Sequence, residues 1–156
     1  MRNKGGSLIE VTIATTVGIL VVSALTFATI FSLRNANFAK SSAQATKLAQ
    51  DGIERVRTLR DRNGAVNYTG SPGASEFDAL WSVSFSCPSN CYFYFDALGK
   101  LSGGTASNFE VIAPDFKRQF KIEDSGSEQK KITVIVRWTD QTGDHDSKLT
   151  TILRKL

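Results

Sequence analysis

Four groups of residues in this chain have types and spacings that could do chemistry. Glu10 stands at the head of a run, residues 11–33, that holds no charged side chain. A carboxylate there could be half of an ion pair in an apolar medium, where pairing offsets a desolvation that is costly for either charge alone. Cys87 and Cys91, in "CPSNC", could close a local disulfide. Asp140, Asp144 and Asp146 crowd "TDQTGDHD" around His145 and could offer oxygen ligands to a hard cation. Arg55, Arg57, Arg60 and Arg62 form a basic run that could meet phosphate.

Two cysteines and a single histidine cannot complete a four-ligand zinc site. Three residues separate the cysteines, where a redox-active pair usually has two. A local disulfide is therefore expected, implying an oxidising compartment, with separate thiols on a surface loop as the alternative. So small a loop contributes about 2 kcal/mol. The aspartates match no known calcium-loop spacing, and His145 reads as an exposed turn residue with no nucleophile in a recognised setting.

In the arginine run, Arg57 and Asp61 stand at i and i+4, as do Asp51 and Arg55. That spacing describes a salt-laced helix face in solvent; nucleic acid or anionic lipid is the other possible occupant. Net charge is only +4, with Arg2 and Lys4 contributing two of those charges, too little to argue for nucleic acid from the total. No P-loop, Rossmann fingerprint or metalloprotease motif occurs. The sequence points to no enzyme, no catalytic residue, no cofactor and no metal.

The element that positions Glu10 is the apolar run itself. As a helix, residues 11–33 would extend about 35 Å, enough to cross a bilayer core. Few globular helices stay apolar all round for that length. The run is too long for a secretory signal peptide and no small-residue cleavage site follows it. Basic residues flank it on both sides, so charge bias leaves its orientation open. Glu10 lies at the end of the run, where an acid costs less than at the bilayer centre, and a helix N-terminus favours negative charge.

"KGGSLIEVTIA", residues 4–14, resembles the leader-and-helix motif of type IV pilins and the related pseudopilins of type II secretion. The resemblance covers residues 4–33. It implies a basic leader ending at Gly5, removed by a prepilin peptidase that then methylates the new N-terminal amine at Gly6. It also implies that Glu10, the fifth mature residue, serves subunit assembly. The family usually has phenylalanine where Gly6 stands. A cut after Gly6 would instead make Ser7 first and Glu10 fourth. Many major pilins carry a proline within the apolar helix. This chain has none before Pro72, which implies an unbroken helix and leans towards a minor subunit. The implied partners are the peptidase, other pilin or pseudopilin subunits, the inner-membrane assembly platform and the membrane. The implied location is a single-pass precursor with an extracytoplasmic globular domain, then a periplasmic or extracellular filament. A filament-tip binding module and a plain signal-anchored protein are the alternatives.

The freed amine and Glu10 supply the two charges of the pair introduced above. The amine of one subunit could meet Glu10 of a neighbour, or Gly6 and Glu10 could pair within one chain, being i and i+4.

Beyond the apolar run, Ala45, Leu48, Ala49, Ile53, Val56 and Leu59 recur at three- and four-residue spacings and predict an amphipathic helix. Gly52 lies in the stripe and permits close approach. Asn63-Gly64 predicts the stop. Residues 65–80 read as a loop. "WSVSF" (81–85) and "CYFYF" (91–95) read as paired strands, and "LGKLSGGTASN" (98–108) as another loop. "FKRQFKIED" alternates Phe116, Phe120 and Ile122 inward, and "KKITVIVRWTD" does so with Ile132, Val134, Val136 and Trp138. "SKLTTILRKL" supplies the last strand, after a polar turn. The expectation is an α+β chain with a leader (1–5), an apolar helix (6–33), its amphipathic continuation (34–63) and a small antiparallel β domain (64–156). The pilin resemblance implies this same arrangement.

Overall fold

The computed structural model describes residues 8–68 and 75–156. The chain divides into two units, Met1–Lys40 and Ser41–Leu156. It opens with one helix, α1 (Leu8–Asp61, 54 residues). Among the described residues eight strands follow: β1 (Ala65–Asn67), β2 (Ser75–Glu76), β3 (Tyr92–Phe95), β4 (Leu101–Gly104), β5 (Glu110–Ala113), β6 (Phe116–Gly126), β7 (Gln129–Asp140) and β8 (Gly143–Arg154). The protein is α+β.

In the first unit the helix is apolar and exposed. Every described residue from Leu8 to Lys40 lies open to its surroundings. The span is long and apolar enough to cross a membrane. Its threonines do not break that character. Thr12, Thr16, Thr26 and Thr29 each donate their hydroxyl to the carbonyl four residues back, at 2.7–2.9 Å. The hydroxyls are thus satisfied inside the helix and need no water.

In the second unit the helix turns amphipathic. Ala45, Ala49, Gly52, Ile53 and Val56 are buried, with Leu48 and Leu59 packed beside them. The stripe is the one that the spacing predicts. Gly52 is where helix and sheet come closest. A β-carbon there would stand 3.0 Å from Arg118 Cδ and 3.0 Å from Val134 Cγ1. The helix stops as its last residues dictate. Asn63 takes φ 46°. Its N–H donates to Arg60 O at 2.9 Å, and Gly64 N–H donates to Leu59 O at 2.8 Å. That is a Schellman termination, with asparagine in the left-handed position.

The sheet runs in the order β2-β1-β4-β3-β6-β7-β8, with β5 pairing β6 beside β3. Every pairing is antiparallel except β1 with β4. The long β6-β7-β8 meander carries the core. Phe116, Phe120, Ile122, Ile132, Val134, Val136 and Trp138 are all buried, as alternation predicts. Phe95 meets Phe120 edge-on at 5.2 Å, and Phe85 meets Phe93 at 5.4 Å.

Several expectations need correcting. Residues 65–80 are not simply loop: they contain β1, β2 and most of a 3-10 helix, Phe77–Ser82. "WSVSF" is not a strand. Trp81 ends in that 3-10 helix, and residues 83–85 make side-chain contacts instead of ladder bonds. Asp124 Oδ2 accepts from Phe85 N at 3.0 Å and from Ser84 Oγ at 2.8 Å. Lys130 Nζ donates to Val83 O at 2.6 Å. β3 therefore pairs with β4 and β6. "LSGG", expected as loop, is β4. "EVIA" forms β5, which no alternation marked. The last turn is shorter than expected. Asp140 pairs with Gly143 across the two residues between them, so Asp144, His145 and Asp146 lie on β8.

Candidate functional site

Gly5 and Gly6, where a leader cut is expected, lie outside the described residues. Glu10 occupies the first turn of α1 and is exposed. Leu8, Ile9, Val11 and Ile13 surround it in sequence and are equally exposed. Among the described residues no cation pairs with Glu10. The acid therefore stands on an otherwise apolar helix end, where the helix dipole favours its charge.

The second charged centre joins helix to sheet, because the period-two alternation of "FKRQFKIED" carries an arginine inward along with its apolar residues. Arg118 sits between Phe116 and Phe120 on the inward face of β6 and is 1% exposed. Its Nε and Nη2 both reach Glu110 Oε2, at 2.9 and 2.8 Å. Its Nη1 donates to Leu48 O at 2.9 Å and to Asp51 Oδ2 at 3.0 Å. Glu110 takes a second guanidinium on its other oxygen, Arg55 Nη1 at 2.8 Å. Arg55 also stacks 4.1 Å over the Phe95 ring. Two arginines and two carboxylates thus tie α1, β5 and β6 together. A charge so deep is tolerable because nearly every donor has a partner. The signal in the sequence was an arginine at an inward position of an alternating strand. Gln119, buried on the opposite face, donates to Thr105 O and Asn108 O at 2.9 and 2.7 Å.

The arginine run keeps its salt-laced character but with other partners than the i, i+4 spacing suggests. Arg57 pairs with Glu54 at 2.6 Å and reaches Thr151 Oγ1 at 3.2 Å. Arg60 pairs with Asp61 at 2.7 Å and donates to Arg154 O at 3.3 Å. Asp51 goes to Arg118, not to Arg55. Arg55, Arg57 and Arg60 are thereby spent on contacts within the fold.

Cys87 and Cys91 stand at disulfide distance and are bonded, with Cα atoms 5.2 Å apart. Cys91 is fully buried, and its carbonyl accepts from Ile122 N at 2.8 Å. The bridge anchors the 87–91 loop at the start of β3. Lys130 is buried over the Phe85 ring and pairs with Asp124. Burial would raise the Asp124 carboxyl, but hydrogen bonds from Lys130, Ser84 and the Phe85 N–H together hold it below the usual value.

His145 is not the bare turn residue expected. It stacks on Trp138 at 5.4 Å, and its Nε2 lies 3.0 Å from Asp140 Oδ1. Hydrogen bonds from the Thr142 hydroxyl and N–H, with His145 adding to them, lower Asp140 to about 2. Asp144 accepts from Thr139 at 2.6 Å and Asp146 pairs with Lys148 at 2.8 Å. Each carboxylate is engaged separately. Among the described residues no three His, Cys, Asp or Glu side chains form a group that could hold a metal ion.

No protein-family model, curated protein or solved structure matches this chain.

Proposed function

We propose that this chain is a structural subunit of a type IV pilus-like or secretion pseudopilus filament. It is made as a membrane-bound precursor, cut after Gly5 and methylated at Gly6 by a prepilin peptidase. It then assembles through its apolar helix on an inner-membrane platform. The observation that carries this reading is the division of labour along α1. Its first part is apolar, exposed and headed by one acid, Glu10. Its second part packs an amphipathic face on an antiparallel sheet. An exposed apolar surface of that extent wants a non-aqueous partner, first lipid and then neighbouring copies. The reading assigns no catalysis to the chain.

Mass spectrometry of the protein isolated from its own cells tests this. The expected mature N-terminus is methylated Gly6. An intact 1–5 leader on the functional protein would sink the proposal and favour a plain signal anchor.

A further inference from the structure

The outer face of the sheet carries a feature that neither the core nor the helix requires. Lys117 on β6 and Arg137 on β7 are direct cross-strand partners. Both are exposed, and among the described residues neither lies within ion-pair distance of a carboxylate: Arg137 stands opposite Asp146 on β8, but that carboxylate pairs with Lys148 at 2.8 Å. Directly opposed like charges destabilise a sheet, and every other charged cross-strand pair of β6 with β7 here joins opposite signs: Glu123 with Lys131 and Asp124 with Lys130. The two cations line a cleft of about 710 Å³. The loop before β5 forms one wall. That loop is pinned, since Asn108 Oδ1 accepts from Thr105 N at 2.7 Å and buried Gln119 holds its carbonyls. It sets the Phe109 ring 4.9 Å from the Arg137 guanidinium, which orients that cation. Ser107, Asp115 and Asp144 add to the polar lining, with Thr105 and Thr139.

We propose that this cleft binds an acidic sugar, a uronate unit of a polysaccharide. Lys117 and Arg137 take the carboxylate, which relieves their repulsion with charge-assisted hydrogen bonds. Asp115, Asp144 and Ser107 suit the hydroxyls of a sugar ring. Phe109 and Pro114 offer apolar faces to its C–H surface. The same two aspartates disfavour a continuous run of phosphates, which separates this site from a nucleic-acid groove. The inference concerns the globular unit alone and does not rest on the filament reading.

The full chain in detergent micelles can be titrated by calorimetry with a galacturonate trimer, the neutral galactose trimer, inorganic phosphate and a DNA oligomer. Saturable binding of the uronate is expected, without binding of the neutral trimer. Lys117→Gln and Arg137→Gln should each weaken it by about tenfold or more. Lys117→Gln should melt at or above the wild-type temperature, because repulsion is removed, whereas Arg137→Gln also gives up its contact with Phe109 and should stay within about a degree of wild type. The proposal is overturned by no uronate binding at millimolar concentration, by equal binding of the neutral trimer, or by binding indifferent to both substitutions. Tighter binding of DNA or phosphate than of uronate also overturns it. So does a fall of several degrees in melting temperature, which would make the cations structural.

Discussion

Gly52 on α1 and Arg118 on β6 touch so closely that a β-carbon on the glycine would stand 3.0 Å from Arg118 Cδ and 3.3 Å from Nη1. The helix gives up about 1 kcal/mol of helix propensity by placing glycine there. What it gains is passage for a buried guanidinium. Gly52→Ala should therefore fail to stabilise the protein, the helix gain being offset by displacement of Arg118 and Val134. Gly52→Val should cost about 1–3 kcal/mol as an overpacking change. Thermal melts of the two variants beside wild type measure this. A clear rise in melting temperature for Gly52→Ala would show that the contact is slack.

The partners of Arg118 should rank by burial. Glu110 is 16% exposed and holds two guanidiniums, whereas Asp51 is 59% exposed and holds one. Removing Glu110 strands a buried cation, so Glu110→Ala should cost about 3 kcal/mol or more. Asp51→Ala should cost under about 1 kcal/mol, as exposed pairs do. Chemical denaturation of the full chain in detergent checks the order, and equal costs would refute it.

Much of this fold is readable from the chain because alternation and helical spacing report burial directly. β6 and β7 alternate, the α1 stripe repeats at three and four, and Asn63-Gly64 stops the helix. The failures share a physical cause. "WSVSF" has strand-like residues, but its backbone groups are taken by Asp124 and Lys130, some forty residues away. "LSGG" has almost no strand propensity, yet it is held between β1 and β3. Both outcomes depend on neighbours distant in sequence. Arg118 differs: alternation alone puts it on the inward face of β6, but its partners Glu110, Asp51 and Leu48 O lie on elements that no local pattern joins to that strand.

Acid should destabilise the sheet through three aspartates. Asp140 is lowered from 3.8 to about 2, and Asp124 and Asp96 are lowered from the same value, Asp96 because its burial is outweighed by hydrogen bonds from Lys100 N, Ser102 Oγ and Leu98 N together. A carboxylate with a depressed folded pKa binds its proton more readily when unfolded. The stability it adds is thus fully present above about pH 4 and is lost as pH falls through the folded pKa. Melting temperature should drop between pH 4 and 2. Asp124→Asn should lower it at neutral pH and flatten the drop. An unchanged profile in Asp124→Asn would remove that group from the account.

The disulfide should be present in protein purified without reductant and should matter modestly. Intact mass under non-reducing conditions is expected to lie two hydrogens below the dithiol form. Reduction should cost about 2 kcal/mol, given so short a loop. Free thiols in the isolated protein would contradict both the geometry and an oxidising location.

Glu10 gives the sharpest test of assembly. Its position at a helix start makes it cheap to insert, so Glu10→Ala should leave membrane insertion and N-terminal processing intact. If the acid pairs with a neighbour's freed amine, the same substitution should abolish filaments, because it strands that amine in an apolar core. Glu10→Asp keeps the charge but shortens its reach, and should retain part of the assembly. Immunoblots of membrane and sheared filament fractions separate the cases. Wild-type filament yield from Glu10→Ala would mean that the apolar surface alone drives association and that the acid is only tolerated. Loss of processing together with filaments would place the role of Glu10 earlier, in recognition of the precursor.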